Sequence, residues 1–261
     1  MSTIEPMAQA QLLELTQRAA VAAEASHELV FAPEDTDPRT SWGWWRFLSS
    51  LAKTEGLEDL AMDGVDEGFC QRGLDLPWLR DYVASHRADE HRHGEMLKAY
   101  LKTSYGDRPA YRSFSNVFIY GIGFRVLKAL NRRDPLHVFV VLMLYEKASM
   151  EFYRQAIALA EAQGKPNLVT LLSAIRQDES RHLAGATCVI QMLKAQHPVR
   201  GLRKWGVRLW TRLILWDLSY GQLALHNGGL RKAFKQIGFD RPAFAKRMHE
   251  AQRHIKTLVS N

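Results

Sequence analysis

The chain of 261 residues has only two cysteines, Cys70 and Cys188, with no C-x-x-C spacing and no third partner. A disulfide framework is excluded, as is a four-cysteine zinc or rubredoxin-type iron site built from this chain alone, and a reducing cytoplasm is the expected location. Nowhere do about 18 apolar residues run together, so no membrane-spanning helix is implied. The N-terminal stretch has no basic region leading into an apolar run, and no signal peptide is expected. Alternation of apolar and polar residues, the mark of a half-buried strand, is missing as well. Acidic excess is absent: the formal net charge is +7. Much of the basic surplus lies after residue 199, unaccompanied by a zinc-finger, RNP or helix-turn-helix signature, so no nucleic-acid partner is expected.

What is present is helical periodicity throughout, with 46% apolar residues and seven tryptophans to build a core. The expected fold class is all-α. A first amphipathic segment covers roughly residues 5–30 and leads into the loop FAPEDTDPRTS, so residues 1–40 form an N-terminal helix and loop packing on the rest. A helix A is expected through WGWWRFLSSLAKTEGLEDLAMDGV, and Asp75 with Pro77 starts a helix B that ends before Gly106. A connection over about 107–133 contains the apolar VFIYGIGFRVLKAL, which reads as a crossover helix. Asp134-Pro135 begins helix C, which Gly164 and Pro166 end. Helix D then runs to about 196, before His197-Pro198. Two helix pairs joined by a long crossover are the layout of a ferritin-like four-helix bundle over 41–198. Residues 199–261 would add two or three helices to the same domain.

Helices B and D each carry D-E-x-R-H: Asp89, Glu90, Arg92, His93, and again Asp178, Glu179, Arg181, His182. E-x-x-H places a carboxylate and an imidazole one turn apart on one helix face, where both reach the same metal ion. Alone it is a weak signal, because Glu24 and His27 make it too, in a segment without the flanking Asp and Arg. The other two copies lie within apolar stripes. Helix D reads Leu168, Leu172, Ile175, Glu179, His182, Ala186, Val189, Leu193, and helix B reads Leu79, Val83, His86, Glu90, His93, Leu97, Tyr100. Charge at such positions costs several kcal/mol unless a metal or partner compensates it. Helix C has one carboxylate on its apolar stripe, Glu146, which precedes Glu179 by 33 residues. On helix A both Glu55 and Glu58 qualify. Glu58, which is 32 residues before Glu90 and has the small Ala61 one turn on as Glu146 has Ser149, is the choice, with Glu55 the alternative. The expected metal ligands are thus Glu58, Glu90, His93, Glu146, Glu179 and His182, four carboxylates and two histidines around a dinuclear centre. Hard oxygen donors with imidazole, and no thiolate, suit iron or manganese.

Through residues of about 42–195 the chain resembles the ferritin-like di-iron carboxylate superfamily. The D-E-x-R-H form is similar to that of its oxygen-activating members, such as bacterial multicomponent monooxygenase hydroxylases. The resemblance implies two iron ions, with manganese admissible at one, and an O2-dependent oxidoreductase: a monooxygenase, hydroxylase or N-oxygenase acting on a small organic substrate. It implies an electron donor as partner, and that Asp89 and Asp178 orient the ligand imidazoles while Arg92 and Arg181 balance charge. Ferroxidase or peroxide-scavenging chemistry is the alternative, and a non-catalytic helical interaction protein a second. Against the former stand the chain's length and the missing rubredoxin cysteines. A homodimer is left open.

Candidate catalytic side chains are Ser149, Tyr153 and His86. Ser149 shares the Glu146 face, as pocket lining or core filler, and Tyr153 would hydrogen-bond a ligand carboxylate, carry electrons or pack the core. His86, one turn before Glu90, is read first as a pocket or core histidine and second as a seventh ligand, since some arylamine N-oxygenases of the superfamily carry an extra histidine one turn before a metal-binding glutamate, on the other motif helix. His91 should point away. Arg200, Lys204, Arg208 and Arg212 form a basic ridge beside Trp205, Trp210, Leu213 and Trp216. Docking of this helix on the bundle is the preferred reading, with peripheral membrane contact through 199–216 as the alternative.

Overall fold

The computed structural model describes residues 4–27, 29–34, 37–108, 125–216 and 228–260, with side chains also left undescribed at Ile4, His27, 56–60, 202, 214–216, 228–230, 256 and 258–260. The helices are α1 (Ile4–His27), α2 (Pro38–Ala61), α3 (Val65–Gln71), α4 (Pro77–Tyr105), α5 (Leu136–Ala162), α6 (Pro166–Gln196), α7 (Gly201–Trp216), α8 (Gly228–Ile237) and α9 (Arg241–Ser260). Residues 125–131 are helical as well, and no strand occurs among the described residues. The apolar crossover segment at 117–130 falls largely outside the described residues.

The bundle is made of α2, α4, α5 and α6. The α5–α6 and α2–α4 pairs pack most extensively, and α4 meets α6 across the centre. The remaining helices lie outside: α1 along α4 and α6, α8 on α2, and α7 and α9 on α5. An aromatic cluster fastens the C-terminal helices. Phe152 of α5 stacks on Phe244 at 4.3 Å between ring centroids and on Phe234 at 6.0 Å, with Phe47 of α2 tilted against Phe234 at 5.6 Å.

Helix limits follow local chemistry that the apolar pattern alone did not carry. α2 begins at Pro38, earlier than the apolar run at Trp42 suggested, because Asp37 caps it: the Arg39 N–H donates to Asp37 Oδ1 at 2.9 Å. It ends at Ala61 instead of continuing to Val65. The chain turns at Gly64, whose φ of 81° is open to glycine, and the buried Asn131 amide donates to the Ala61 and Asp63 carbonyls at 2.7 and 3.1 Å. Asp134 starts α5 as expected, accepting from the Leu136 N–H at 3.2 Å. The N-terminus of α6 is capped from far away in sequence, since Glu34 accepts from the backbone N–H groups of Asn167 and Leu168 and also from the Tyr100 hydroxyl at 2.6 Å. That contact ties the loop after α1 to α4 and α6 together.

α7 docks on α5 through Val207 and Thr211, both buried, and Arg203 pairs with Asp134. Its other face leaves Trp205, Leu209 and Leu213 exposed beside Arg208 and Arg212. Among the described residues, no helix is long and apolar enough to cross a membrane.

Candidate metal centre

The periodicity of α4 places His86, Glu90 and His93 on one face, and that of α6 does the same for Glu179 and His182. All five are buried, as are Glu146 on α5 and Glu55 on α2. Among the described residues their donor atoms converge into two groups. One comprises Glu55, Glu90, His93 and Glu179. The other comprises His86, Glu90, Glu146 and His182. Within each group one donor atom per residue lies within 4.8 Å of all the others. Glu90 belongs to both. Glu179 also spans them, with Oε1 3.8 Å from His93 Nδ1 and Oε2 3.5 Å from His182 Nδ1.

The two DExRH copies act on each other. Asp178 of α6 holds His93 of α4, with His93 Nε2 2.9 Å from Asp178 Oδ2, while Asp89 of α4 holds His182 of α6 at 3.1 Å. Each aspartate accepts a hydrogen bond at Nε2, so Nδ1 is the ring nitrogen that faces the glutamates, where a neutral imidazole would offer its lone pair to a metal. The arginines close a ring around these pairs. Arg92 reaches Asp89 and Asp178 at 2.6 Å each, and Arg181 reaches Asp178 at 2.5 Å and Asp89 at 3.1 Å. Two aspartates and two arginines make this outer ring neutral. Burial raises the Asp178 pKa, but hydrogen bonding to His93 and the charges of His93, Arg181 and Arg92 overcome it and hold the carboxyl far below its ordinary range.

Inside the ring, charge is not balanced by protein groups alone. Burial, with Glu179 and Glu55 nearby, pushes the Glu90 carboxyl well up. Burial lowers the His93 pKa, but Asp178, Glu55, Glu90 and Glu179 outweigh it and raise the ring to about 10. His182 is raised in the same way, by Asp89, Glu179 and Glu90 against burial. His86 is driven well below its ordinary value by burial and by the neighbouring His182 and His93. The inward-facing Nδ1 atoms of His93 and His182, both Glu90 oxygens and both His86 ring nitrogens are buried without an aligned hydrogen bond. Polar atoms so placed cost free energy unless a ligand satisfies them. Two divalent ions fit: four positive charges meet the four carboxylates Glu55, Glu90, Glu146 and Glu179. The donors are oxygen and imidazole nitrogen with no thiolate, the set for iron with manganese admissible at one position.

The helix A expectation divides here. Glu55 stands in the cluster, with Oε2 3.4 Å from His93 Nδ1 and Oε1 accepting from the Tyr153 hydroxyl at 2.7 Å. The Glu58 side chain, the first choice from sequence, lies outside the described residues. Of the other candidates, Tyr153 is fully buried against Glu55, Ser149 is half-buried one turn beyond Glu146, and His91 is exposed. Glu24 of the third E-x-x-H is exposed. Sequence reasoning passed over Tyr82, whose hydroxyl donates to the His182 carbonyl at 3.3 Å and whose ring lies against Gly185. The signal for it was the glycine: a Cβ there would stand 2.1 Å from the Tyr82 oxygen.

A helical bundle that gathers four glutamates and a cross-braced pair of histidines defines a ferritin-like di-iron carboxylate protein. Within that class the chain belongs to the fatty acid desaturase family, whose sequence model matches residues 61–204. A palmitoyl-[acyl-carrier-protein] 4-desaturase, chloroplastic, from Coriandrum sativum is 26% identical over 152 residues, 58% of this chain and 36% of that protein. The chain thus spans about a third of the length of this relative. Among solved structures, a variant of an R2-like ligand-binding oxidase with an aerobically reconstituted Mn/Fe cofactor superposes with a TM-score of 0.73. The superposition covers 95% of this chain and 93% of that one at 12% identity, a likeness of fold.

Proposed function

We propose that the protein is an O2-dependent di-iron oxidoreductase that oxidises an organic substrate at a C–H bond, and that Glu55, Glu90, His93, Glu146, Glu179 and His182 hold the metals. The convergence of two donor groups on a shared, buried Glu90 carries this reading. Family membership supports substrate oxidation over iron storage. Bound there, two iron ions would supply the redox chemistry that activates dioxygen, with the protein providing geometry and a dry site. Aspartates 89 and 178 keep the imidazole protons on Nε2, the outer ring keeps the α4–α6 register, and the Tyr153 hydroxyl orients one oxygen of Glu55. Electron balance separates two outcomes. Dehydrogenation sends two substrate electrons and two donor electrons to dioxygen, leaving two waters and a new double bond. Hydroxylation uses the same donor electrons but places one oxygen atom in the product and the other in water. The coriander relative favours dehydrogenation, and its acyl-carrier-protein substrate makes acyl chains the first substrates to try.

An electron donor is required in either case. A groove of about 520 Å³ between α1, α4 and α6 has Asp178 and Arg181 in its wall. Asp178 in that wall is hydrogen-bonded on to His93, which makes the groove a route for electron entry.

Anaerobic loading with Fe(II), then one exposure to O2 in the presence of free and carrier-bound acyl chains, tests the reading. The expected product has lost two hydrogens or gained one oxygen by mass spectrometry. Fewer than about one metal bound per chain would remove the dinuclear site. Repeated oxidation of excess Fe(II) into a mineral, with no substrate oxidised, would establish the ferroxidase alternative.

A further inference from the structure

His86 differs from the other two buried histidines of the centre. His93 and His182 each spend Nε2 on an aspartate and turn Nδ1 inward. His86 turns Nε2 inward, 3.3 Å from Glu90 Oε1 and 3.3 Å from Glu146 Oε1, while neither of its ring nitrogens has an aligned hydrogen bond. Its ring stacks on that of His182 with centroids 3.7 Å apart and planes 10° from parallel. The two imidazoles therefore approach the same carboxylates side by side. His182 Nδ1 lies 2.9 Å from Glu90 Oε1 and 3.7 Å from Glu146 Oε1. An octahedral ion with bonds of about 2.1 Å places neighbouring donors about 3.0 Å apart and opposite donors about 4.2 Å apart. The separations around His86 fall between those two values.

We infer that His86 is a seventh protein ligand, binding through Nε2 the ion held by Glu90, Glu146 and His182. This rests on the dinuclear reading above and adds an inequality to it. One ion receives a single imidazole, from His93, and the other receives two. Coordination through Nε2 would set the two ions apart by their imidazole count. It also supplies the buried ring with the partner that the protein alone does not give it.

The experiment compares wild type with H86Q, H93Q and H182Q, each loaded anaerobically with Fe(II). Mössbauer spectra read the two ions, X-ray absorption reads the imidazole count, and a chelator competition reads affinity. Wild type is expected to show two unequal doublets of equal area and three imidazoles over two irons. H86Q should alter one doublet alone, the one also lost in H182Q, and weaken that ion at least about tenfold. If H86Q leaves both doublets and both affinities unchanged while H93Q and H182Q each lose an ion, His86 is not a ligand and the dinuclear reading stands. If H93Q and H182Q retain both ions, the dinuclear reading itself falls. Should H86Q fail to fold, as judged by circular dichroism, the wild-type imidazole count decides: two over two irons overturns the inference.

Discussion

Replacing Asp178 by Asn tests the crosswise brace, because only this fold makes an α6 aspartate the support of an α4 histidine. Asp178 is buried, accepts from His93 Nε2 and pairs with both Arg92 and Arg181. Asn keeps the shape and one acceptor oxygen but removes the charge. Arg181, itself buried, is left with Asp89 alone, and the outer ring becomes positive. Removing one partner of a buried pair costs about 3–5 kcal/mol, and the retained acceptor puts D178N at about 3 kcal/mol. In a domain of this size that is a fall of roughly 6–12 °C in the melting temperature of the metal-free protein. The loss of metal affinity should be about 10–100-fold. It should fall mainly on the ion of Glu55 and His93, although Asp178 shares its helix with His182. The mirror variant D89N should weaken mainly the His182 ion. Chelator competition on Fe(II)-loaded protein reads both, with the ions assigned from H93Q and H182Q. A D178N protein that weakens the His182 ion instead, or melts within about 2 °C of wild type, would refute the crosswise brace.

Truncation of Glu55 to Ala should reduce binding from two metals per chain to one, whereas the same change at Glu58 should leave two, as read by metal analysis after iron-replete expression. Gly185→Ala sets a methyl group 2.1 Å from the Tyr82 oxygen, where the ring must move. A cost of about 1–3 kcal/mol is expected in urea unfolding, relieved in the double variant with Tyr82→Phe only in so far as the ring can shift. Thiol alkylation at pH 8 should mark Cys70, which is exposed, and spare Cys188 until unfolding. Burial pushes the Cys188 thiol up to about 11, so roughly one thiol in a thousand is ionised at that pH. Mass spectrometry of the labelled peptides checks it, and equal labelling of the two would contradict the burial.

Local sequence determined the class of this protein. Periodicity, Asp-Pro and Pro starts, and Gly stops set out the helices of the bundle, since they express backbone hydrogen bonding and burial within one segment. The same periodicity put Glu90, His93, Glu179 and His182 on stripes whose every member is buried in the fold, and Glu146 on a stripe of α5 that is buried except at the half-buried Ser149. Other features depend on how helices meet. Glu55 and Glu58 share one stripe a turn apart, so no property of α2 alone separates them. His86 read first as a core or pocket histidine and only second as a ligand, because α4 alone does not show that α5 and α6 bring Glu146 and His182 to its ring. The cap on α6 comes from Glu34, across a separation no local motif spans. Most of all, the two DExRH copies are each complete on their own helix, yet each aspartate serves the other helix's histidine. An i,i+4 pattern fixes which face a side chain occupies, but the distance and angle between α4 and α6 decide which carboxylate an imidazole can reach.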